Sequence, residues 1–320
     1  MQDFRNVEEE VRRICEAREA AGIFVLTDSN VAPLVEGLLS DCPRLVVEAG
    51  EESKSVAGLE RVWEFLMLRG ALRRSVLVNI GGGMVSDLGG FAAATFKRGI
   101  GCINLPTTLL AAVDAAIGGK TGINFGGLKN EVGAFSLPLA VIPLTGLFGS
   151  LPDDEWLSGA GEALKTGLLD SEELFGLAAS KAFLVDRDPE VVAEVVRRCQ
   201  AFKNAVVAED FREGGHRRIL NLGHTAGHAI EAWKIARATP MAHGIAVAHG
   251  LRIALRLSVE KAGLDPGVLR RYEAVLESFF PPLEMSEKDW EEASHYMAHD
   301  KKNTRQGEPS WVLLKGIGRI

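Results

Sequence analysis

Two histidines spaced four residues apart, His224 and His228, are the feature of the chain that most suggests chemistry. On a helix that spacing places both rings on one face. A third histidine, His243, and Glu162, an acidic residue in a small and apolar helical stretch, complete a donor set for a Zn²⁺-type ion acting on a substrate oxygen. The same residues equally fit core histidines with satisfied hydrogen bonds and a Glu162–Lys165 ion pair. Spacing alone does not say which of His224 and His228 would be the ligand.

Basic residues form a second group, because several of them occur near glycines or in apolar stretches. They are Arg98, Lys120, Lys129, Lys165, Lys203, Arg217, Lys301 and Lys302. In a chain of net charge −7, cations that converge on a cleft predict a small substrate with several negative charges. Any single one also fits an ordinary solvated surface residue, and Lys301 and Lys302 fit it best because they lie in a charged run.

A glycine turn at residues 81–83 follows a short β-branched run at residues 76–80. This pattern predicts a buried strand that leaves its sheet through a tight turn into a helix. Glycine lets the backbone approach a ligand, and a helix start offers N–H groups to a phosphate. The turn is not the full G-x-G-x-x-G fingerprint, so by itself it also fits a plain strand–turn–helix corner.

The elements that must position these residues change character near residue 149. Before it, predicted strands at 22–28, 44–48, 76–80 and 102–105 alternate with helices, one of them at 31–39, which predicts an α/β fold with a doubly wound, Rossmann-like parallel sheet. After it the pattern is helical, with one long helix predicted at 189–209, and strand-like runs almost vanish until 311–314. We therefore predict an NAD-binding α/β domain at 1–148, an all-helical metal- and substrate-binding domain at 149–320, and an active site in the cleft between them.

Polar residues follow the predicted strands at their carboxyl ends, where ligands bind in parallel sheets. Asp28, the loop from Glu51 to Lys54, the glycine turn and the pair Thr107–Thr108 all occupy such positions. Turn chemistry would account for any one of them. Together they predict a dinucleotide that lies across this edge of the sheet.

Composition restricts the class of protein. The chain has 320 residues, of which 47% are hydrophobic and 25% are charged, as in a globular protein of about two domains. The negative net charge argues against general nucleic-acid binding, and no apolar run reaches the ~18–20 residues that span a bilayer. The four cysteines are far apart and lack metal or redox spacing, so we expect reduced thiols in a cytoplasmic protein.

Longer motifs give the chain a family resemblance that runs from about residue 23 to residue 318. It closely resembles the 3-dehydroquinate synthase family of sugar-phosphate cyclases in the segments 81–91, 106–111, 113–114, 118–124, 129–130, 221–231, 243–244 and 299–302. Three positions depart from the family pattern: Ile245 stands where glutamate is usual, Ser86 stands where glycine is common, and the residue after Gly167 differs from the common lysine-tyrosine pattern. We expect these departures to tune the enzyme without abolishing its activity.

The resemblance implies an NAD-dependent enzyme that also uses Zn²⁺ or Co²⁺ and is usually a homodimer. Such enzymes convert 3-deoxy-D-arabino-heptulosonate 7-phosphate, a small anionic sugar phosphate, to 3-dehydroquinate and phosphate. The reaction comprises transient oxidation by NAD, phosphate elimination, re-reduction and aldol-type ring closure. The resemblance also implies the metal ligands Glu162, His224 and His243, and it assigns His228 to the substrate.

The remaining site residues implied by the resemblance bind cofactor or substrate. The NAD residues are Asp28, Glu51 and Lys54 at the adenosine end, with Gly82, Gly83, Met84, Asp87, Thr107, Thr108 and Asp114 along the pyrophosphate and nicotinamide. Lys120, Asn130 and Arg217 are assigned to the substrate carboxylate. The other contacts to the substrate, including those to its phosphate, are assigned to Arg98, Lys129, Lys165, Lys203, Asn221, His228 and Lys302 (or Lys301).

Three other functions fit the same fold. A sibling cyclase would close a different sugar phosphate, but the three residues assigned to the substrate carboxylate argue against it. A metal-dependent glycerol or alcohol dehydrogenase would consume NAD, but a neutral alcohol has no use for so many cations. A catalytically inactive binding protein would not need the complete ligand set.

Overall fold

The computed structural model describes residues 4–298 and 309–320, and the chain divides into two compact units, Met1–Ser150 and Leu151–Ile320. The first unit is built on parallel strands. Its strands are β1 (Ile23–Asp28), β2 (Arg44–Val47), β3 (Val76–Gly81), β4 (Gly101–Pro106), β5 (Lys120–Phe125), β6 (Leu128–Phe135) and β7 (Ala140–Val141). Its helices are α1 (Arg5–Ala17), α2 (Val56–Leu68) and α3 (Gly83–Thr95).

A sheet of five strands in the order β2-β1-β3-β4-β7 organises this unit, and every pair in it is parallel. Apolar side chains leave the strands alternately toward two cores, as a sheet covered on both faces requires. Phe24 and Leu77 belong to the core that contains residues of α2 and α3, whereas Val25 and Val78 belong to the core that contains residues of α1. The predicted doubly wound parallel sheet is therefore confirmed.

The hairpin of β5 and β6 was not predicted from the sequence. Its strands are antiparallel and separate from the main sheet. Gly126 and Gly127 connect them with φ of 60° and 79°, which is the left-handed backbone that a tight two-residue hairpin turn needs. Because β5 carries only six residues and few β-branched ones, its apolar pattern is too short to predict a strand.

The second unit is helical, as predicted. Its helices are α4 (Asp153–Asp170), α5 (Glu172–Ala178), α6 (Lys181–Leu184), α7 (Pro189–Glu209), α8 (His224–Ala236), α9 (His243–Ala262), α10 (Pro266–Phe279) and α11 (Glu287–Ala298). Two of them, α7 and α10, begin with an aspartate cap followed by proline, the arrangement that best satisfies the first N–H groups of a helix. Helix α9 lies at the centre and packs against α4, α8 and α10.

Residues 309–320 run across the helices of the second unit. Leu314 donates its N–H to Ser258 Oγ at 3.0 Å, and Gly318 donates to the carbonyl of Leu168 at 3.0 Å. Residues 311–314, which are strand-like in sequence, form no strand within the described part of the chain. Across the ranges 4–298 and 309–320, none of the helices combines the length and the apolar character that a bilayer crossing would need.

Candidate functional site

Helices α4 and α9 approach each other at a pair of glycines. A Cβ built on Gly161 would lie 2.1 Å from the carbonyl oxygen of Gly244, and one built on Gly244 would lie 1.7 Å from that of Ser158. Ser158 Oγ also accepts the N–H of Gly244 at 3.0 Å, which satisfies a donor in the first turn of α9. Glu162 follows Gly161 and His243 precedes Gly244, so this close approach places the carboxylate beside the imidazole.

Helix α8 is fixed against α9 in the same way. Gly223 has a φ of 76°, and a Cβ there would lie 2.8 Å from the Leu251 side chain. A Cβ on Gly250 would in turn lie 2.1 Å from the carbonyl oxygen of Gly223. Small residues at these crossings therefore bring the first residue of α8, His224, up to the first residue of α9.

The carboxylate of Glu162 lies between two imidazoles. Its Oε1 is 3.6 Å from His224 Nε2 and 3.4 Å from His243 Nε2. Tetrahedral Zn²⁺ with bonds of about 2.0–2.1 Å places its ligand atoms roughly 3.3–3.4 Å apart. Both distances from the carboxylate oxygen are therefore close to those between two ligands of one divalent ion, and the ring centroids of His224 and His243 are 5.4 Å apart.

Both histidines are held by the ring nitrogen that faces away from Glu162. His224 Nδ1 is 3.2 Å from the carbonyl oxygen of Leu222, and His243 Nδ1 is 2.9 Å from Glu231 Oε2. Each of these oxygens accepts, so each Nδ1 carries the proton. In the neutral rings the lone pair is consequently on Nε2, which is the atom nearest Glu162 and the one a metal would bind.

His228 belongs to the same group of side chains. His224, His228 and His243 each offer a ring nitrogen within 4.8 Å of the others, and the ring centroids of His228 and His243 are 5.7 Å apart. Two sets of three donors are therefore in place, one with Glu162 and one with His228. The assignment of Glu162, His224 and His243 as the ligands stays a prediction.

The electrostatics of the group depend on its carboxylates. Burial by itself lowers the pKa of His243, but the hydrogen bonds to Glu162 and Glu231 outweigh it and raise the pKa to about 9. Lys165, one helical turn after Glu162, forms an ion pair with its Oε2, and both side chains are buried. The ion pair anticipated as an alternative to a metal site therefore coexists with the histidine group, because Lys165 uses one carboxylate oxygen and the histidines approach the other.

Other substrate-assigned residues of the second unit are buried cations or their neighbours. Lys203 on α7 and Arg217 are buried, although charged side chains of this size are rarely so. Arg217 Nη1 donates to the carbonyl of Phe211 at 2.6 Å, and Asn221 Nδ2 donates to Glu213 Oε1 at 3.0 Å. The short 3-10 helix that carries Arg217 and Asn221, His216–Asn221, packs against both α4 and α7, so the fold gathers the segments that hold these cations.

An aspartate shapes the loop in front of Arg217. The carboxylate of Asp210 accepts the N–H groups of Gly214, Gly215 and Arg217 at 2.9, 2.8 and 3.0 Å. These hydrogen bonds, that of Gly215 most of all, lower the pKa of Asp210, so it stays ionised and keeps the loop closed. The loop therefore delivers Arg217 to the interior of the helical unit.

In the first unit, three of the NAD-assigned residues meet. Lys54 Nζ is 2.5 Å from Asp87 Oδ2 and 3.7 Å from Glu51 Oε1. Asn124 Nδ2 donates to the same Glu51 oxygen at 2.9 Å, and Asn124 N–H donates to the carbonyl of Lys54. Lys54 is buried by this network, which ties the loop after β2 to α3 and to the hairpin.

The glycine turn has the close packing that its sequence predicts. A Cβ on Gly81 would lie 2.5 Å from the Val85 side chain, and one on Gly82 would lie 3.2 Å from Thr108. Because Gly81 pairs with Pro106, the turn lies beside Thr107, whose N–H donates to the carbonyl of Gly81 at 3.0 Å. The carboxyl ends of β3 and β4 thus form one edge, next to Gly83 and Met84 in the first turn of α3.

Asp28 and Asp114 lie at other positions of the first unit. Asp28 ends β1 and accepts the N–H groups of Asn30 and Val31 at 2.9 and 3.0 Å. Burial raises its pKa, and the two backbone hydrogen bonds oppose that rise. Asp114 is half-buried in a π-helical turn, Ala111–Ala115, that packs against α3.

Some predicted site residues are not brought together within the unit that carries them. Helix α3 carries the chain from the carboxyl end of β3 to the amino end of β4, so Arg98 lies at the sheet edge opposite the glycine turn. Lys120 lies at the open end of the β5–β6 hairpin, whereas the exposed Lys129 and Asn130 lie near its turn. Lys301 and Lys302 lie outside the described residues.

The sequence reasoning missed three residues that hold the site in place. Glu231 and Ser158 orient the first turn of α9, and Asn124 links the hairpin to Glu51. A signal existed for Glu231 alone, because it follows His228 by three residues and so shares its helical face. Ser158 and Asn124 act across elements, which spacing does not reveal.

Two sugar-phosphate cyclases of known structure share this fold. The 2-deoxy-scyllo-inosose synthase complexed with carbaglucose-6-phosphate, NAD⁺ and Co²⁺ gives a TM-score of 0.84 at 26% identity, over 98% of this chain and 88% of that one. The 2-epi-5-epi-valiolone synthase of Streptomyces hygroscopicus subsp. jinggangensis 5008, with NAD⁺ and Zn²⁺ bound, gives 0.81 at 25% identity, over 95% and 87%. The fold is therefore that of the sugar-phosphate cyclases.

Comparison of sequences identifies the family within the sugar-phosphate cyclases to which the chain belongs. The 3-dehydroquinate synthase of Parabacteroides distasonis is 42% identical over 305 residues, which cover 93% of this chain and 86% of that protein. The family descriptions 3-dehydroquinate synthase N-terminal and 3-dehydroquinate synthase C-terminal match residues 44–158 and 159–303. The chain belongs to the 3-dehydroquinate synthase family, and the resemblance found in its motifs is confirmed.

Proposed function

We propose that the chain catalyses the 3-dehydroquinate synthase reaction of the shikimate pathway, as a carbon–oxygen lyase. It would convert 3-deoxy-D-arabino-heptulosonate 7-phosphate to 3-dehydroquinate and phosphate. The observation that carries this proposal is the group formed by Glu162, His224 and His243, in which both imidazoles are hydrogen-bonded through Nδ1 and present Nε2 to the carboxylate. The choice of substrate is based on the family to which the chain belongs.

The donor set fits a divalent ion of the Zn²⁺ or Co²⁺ type. Two imidazole nitrogens and a carboxylate oxygen leave a fourth position for a substrate oxygen, which is the pattern of catalytic zinc sites. NAD would be held in the first unit by the glycine turn and by Glu51, Lys54 and Asp87. When bound, NAD supplies a hydride acceptor that is regenerated within each turnover, and the metal supplies a Lewis acid for the substrate.

The chain's own residues would contribute charge and position. Lys165, Lys203 and Arg217 are buried cations on contacting segments, and in the proposal they bind the carboxylate and phosphate of the substrate. Desolvation makes each such contact stronger than it would be in water, and a fixed cation needs no reorganisation as charge develops. The departing phosphate can accept the substrate proton, so the proposal needs no dedicated protein base.

We also propose that the active form is a cytoplasmic homodimer. The four cysteines form no disulfide in the described part of the chain, which suits a reducing compartment. The β5–β6 hairpin leaves Phe125, Leu128 and Phe135 at 56%, 59% and 44% exposure, an apolar surface that a second copy could cover. Light scattering with size-exclusion chromatography tests this, and a monomer at micromolar concentration would contradict it.

The proposed activity is tested by incubating the protein with the heptulosonate phosphate, NAD and Zn²⁺. Phosphate release and NADH absorbance are followed together. We expect phosphate and 3-dehydroquinate to form with no net NADH, and Glu162→Gln to abolish both products. Accumulating NADH would instead indicate a dehydrogenase.

A second substrate separates the cyclases. Glucose 6-phosphate carries the phosphate but no carboxylate, so it should not turn over if Arg217 is reserved for a carboxylate. Turnover of glucose 6-phosphate without turnover of the heptulosonate would favour a sibling cyclase. The variant Arg217→Met should slow the heptulosonate reaction strongly, because a carboxylate would lose a charge-assisted partner.

A further inference from the structure

Helix α8 presents a third polar residue on the face that carries its histidines. Glu231 lies two helical turns after His224 and one turn after His228. Its side chain is only 13% exposed, and its Oε2 lies 2.9 Å from Nδ1 of His243, on the neighbouring helix. A buried carboxylate aimed at the outer nitrogen of an imidazole controls where that ring's proton lies.

We propose that Glu231 is a positioning residue that sets the tautomer, the orientation and the basicity of His243 for metal binding. By accepting Nδ1–H, its carboxylate leaves Nε2 as the nitrogen that faces Glu162 and that gives up its proton when a metal binds. The inference rests on the proposed function, because it takes His243 to be a metal ligand.

The two imidazoles beside Glu162 differ in how they are held. His224 is hydrogen-bonded to a backbone carbonyl, that of Leu222, which its own chain segment supplies two residues earlier. His243 is the first residue of α9, where the chain has just left a loop, and it is held by the side chain of another helix. A neutral carbonyl orients a ring, whereas an ionised carboxylate also raises the basicity of the remote nitrogen. The affinity for a metal should therefore depend on the negative charge of Glu231, which a substitution can remove.

The test is a titration of the metal-free protein with Co²⁺, monitored by visible absorption. Three proteins are compared: the wild type, Glu231→Gln and Glu273→Gln. Glutamine keeps the shape of Glu231 and loses its charge, and Glu273 is a matched control because it accepts from Arg256 on the outer side of α9. We expect Glu231→Gln to bind Co²⁺ about 10–100-fold more weakly, with an altered absorption band, and Glu273→Gln to match the wild type.

The outcomes separate the inference from the proposed function. Wild-type affinity and spectrum in Glu231→Gln would overturn the role of Glu231 and leave the metal site standing. A wild type that binds no Co²⁺ would overturn the metal site itself. If Glu231→Gln does not fold by circular dichroism, Glu231→Asp replaces it: its carboxylate is one methylene too short to reach Nδ1, so the same loss of affinity is expected and wild-type affinity would overturn the proposal.

Discussion

Replacing Gly161 by alanine should weaken the metal site while leaving every proposed ligand in the sequence. The added Cβ would lie 2.1 Å from the carbonyl oxygen of Gly244, and real Cβ atoms essentially never lie closer than 3.0 Å to such an atom. Helices α4 and α9 must therefore separate by about 0.9 Å at this point, because a backbone carbonyl cannot rotate away as a flexible side chain would.

The separation acts directly on the neighbouring residues. Glu162 Oε1 is now 3.4 Å from His243 Nε2, and that distance would grow by a similar amount. Metal sites tolerate deviations of about 0.2 Å in ligand distance, so metal affinity should fall on the order of 10–100-fold. Forcing a methyl group into a packed contact should also cost about 1–3 kcal/mol of unfolding free energy.

Co²⁺ titration and urea unfolding of Gly161→Ala measure the two effects separately. The matched control is Gly176→Ala on α5, where a Cβ meets nothing within 4 Å. That change should leave metal affinity alone and stabilise the protein by about 0.5–1 kcal/mol, because alanine is the better helix residue. If folded Gly161→Ala bound Co²⁺ as tightly as the wild type, the close approach of the helices would not be what places the carboxylate.

Two further predictions concern buried ionisable groups. His249 is buried and donates from Nε2 to the carbonyl of Pro281, and its pKa is lowered to about 4 mainly by burial. Protonation of His249 is therefore disfavoured in the folded protein, and the free energy of unfolding should fall by about 3 kcal/mol as the pH drops from ~6.5 to ~4. In the variant His249→Gln, the free energy of urea unfolding should depend less on pH over that range than it does in the wild type. Equal pH dependence of the two proteins would refute this prediction. Lys54→Met should lower the free energy of unfolding by about 3 kcal/mol, because it breaks the buried ion pair with Asp87. Arg256→Met breaks the exposed ion pair with Glu273 and should lower it by less than about 1 kcal/mol. Similar losses for the two variants in urea unfolding would contradict this distinction.

The fold could be predicted well where periodicity is long. The parallel strands read as continuous apolar runs because both faces of the sheet are covered, and α7 was predicted over its full range, 189–209. The run at 31–39 was predicted to be helical but forms only the short turn Ala32–Val35, where Pro33 and the neighbouring turns interrupt it. The antiparallel hairpin was missed because glycine and asparagine dilute the alternation of its strands.

The candidate site was predictable in its parts but not in its assembly. Residues on one helix, such as the histidines of α8, follow from spacing. Contacts between elements do not, and these include the link from Asn124 to Glu51 and the position of Arg98 at the far edge of the sheet. A spacing rule describes one element at a time, whereas these relations depend on which elements the packing makes neighbours.

Glycines at the helix crossings determine how closely the elements that carry the site pack against one another. Burying the carboxylate of Glu162 requires cations and donors within reach, and Lys165 on the same helix supplies only one of them. The imidazoles must come from two other helices, whose axes ordinarily stay 8–10 Å apart because side chains stand between them. Gly161, Gly223 and Gly244 remove those side chains at the crossings, and each precedes or follows a proposed ligand in sequence. At these three positions glycine therefore lets the backbones approach closely enough for Glu162, His224 and His243 to lie side by side.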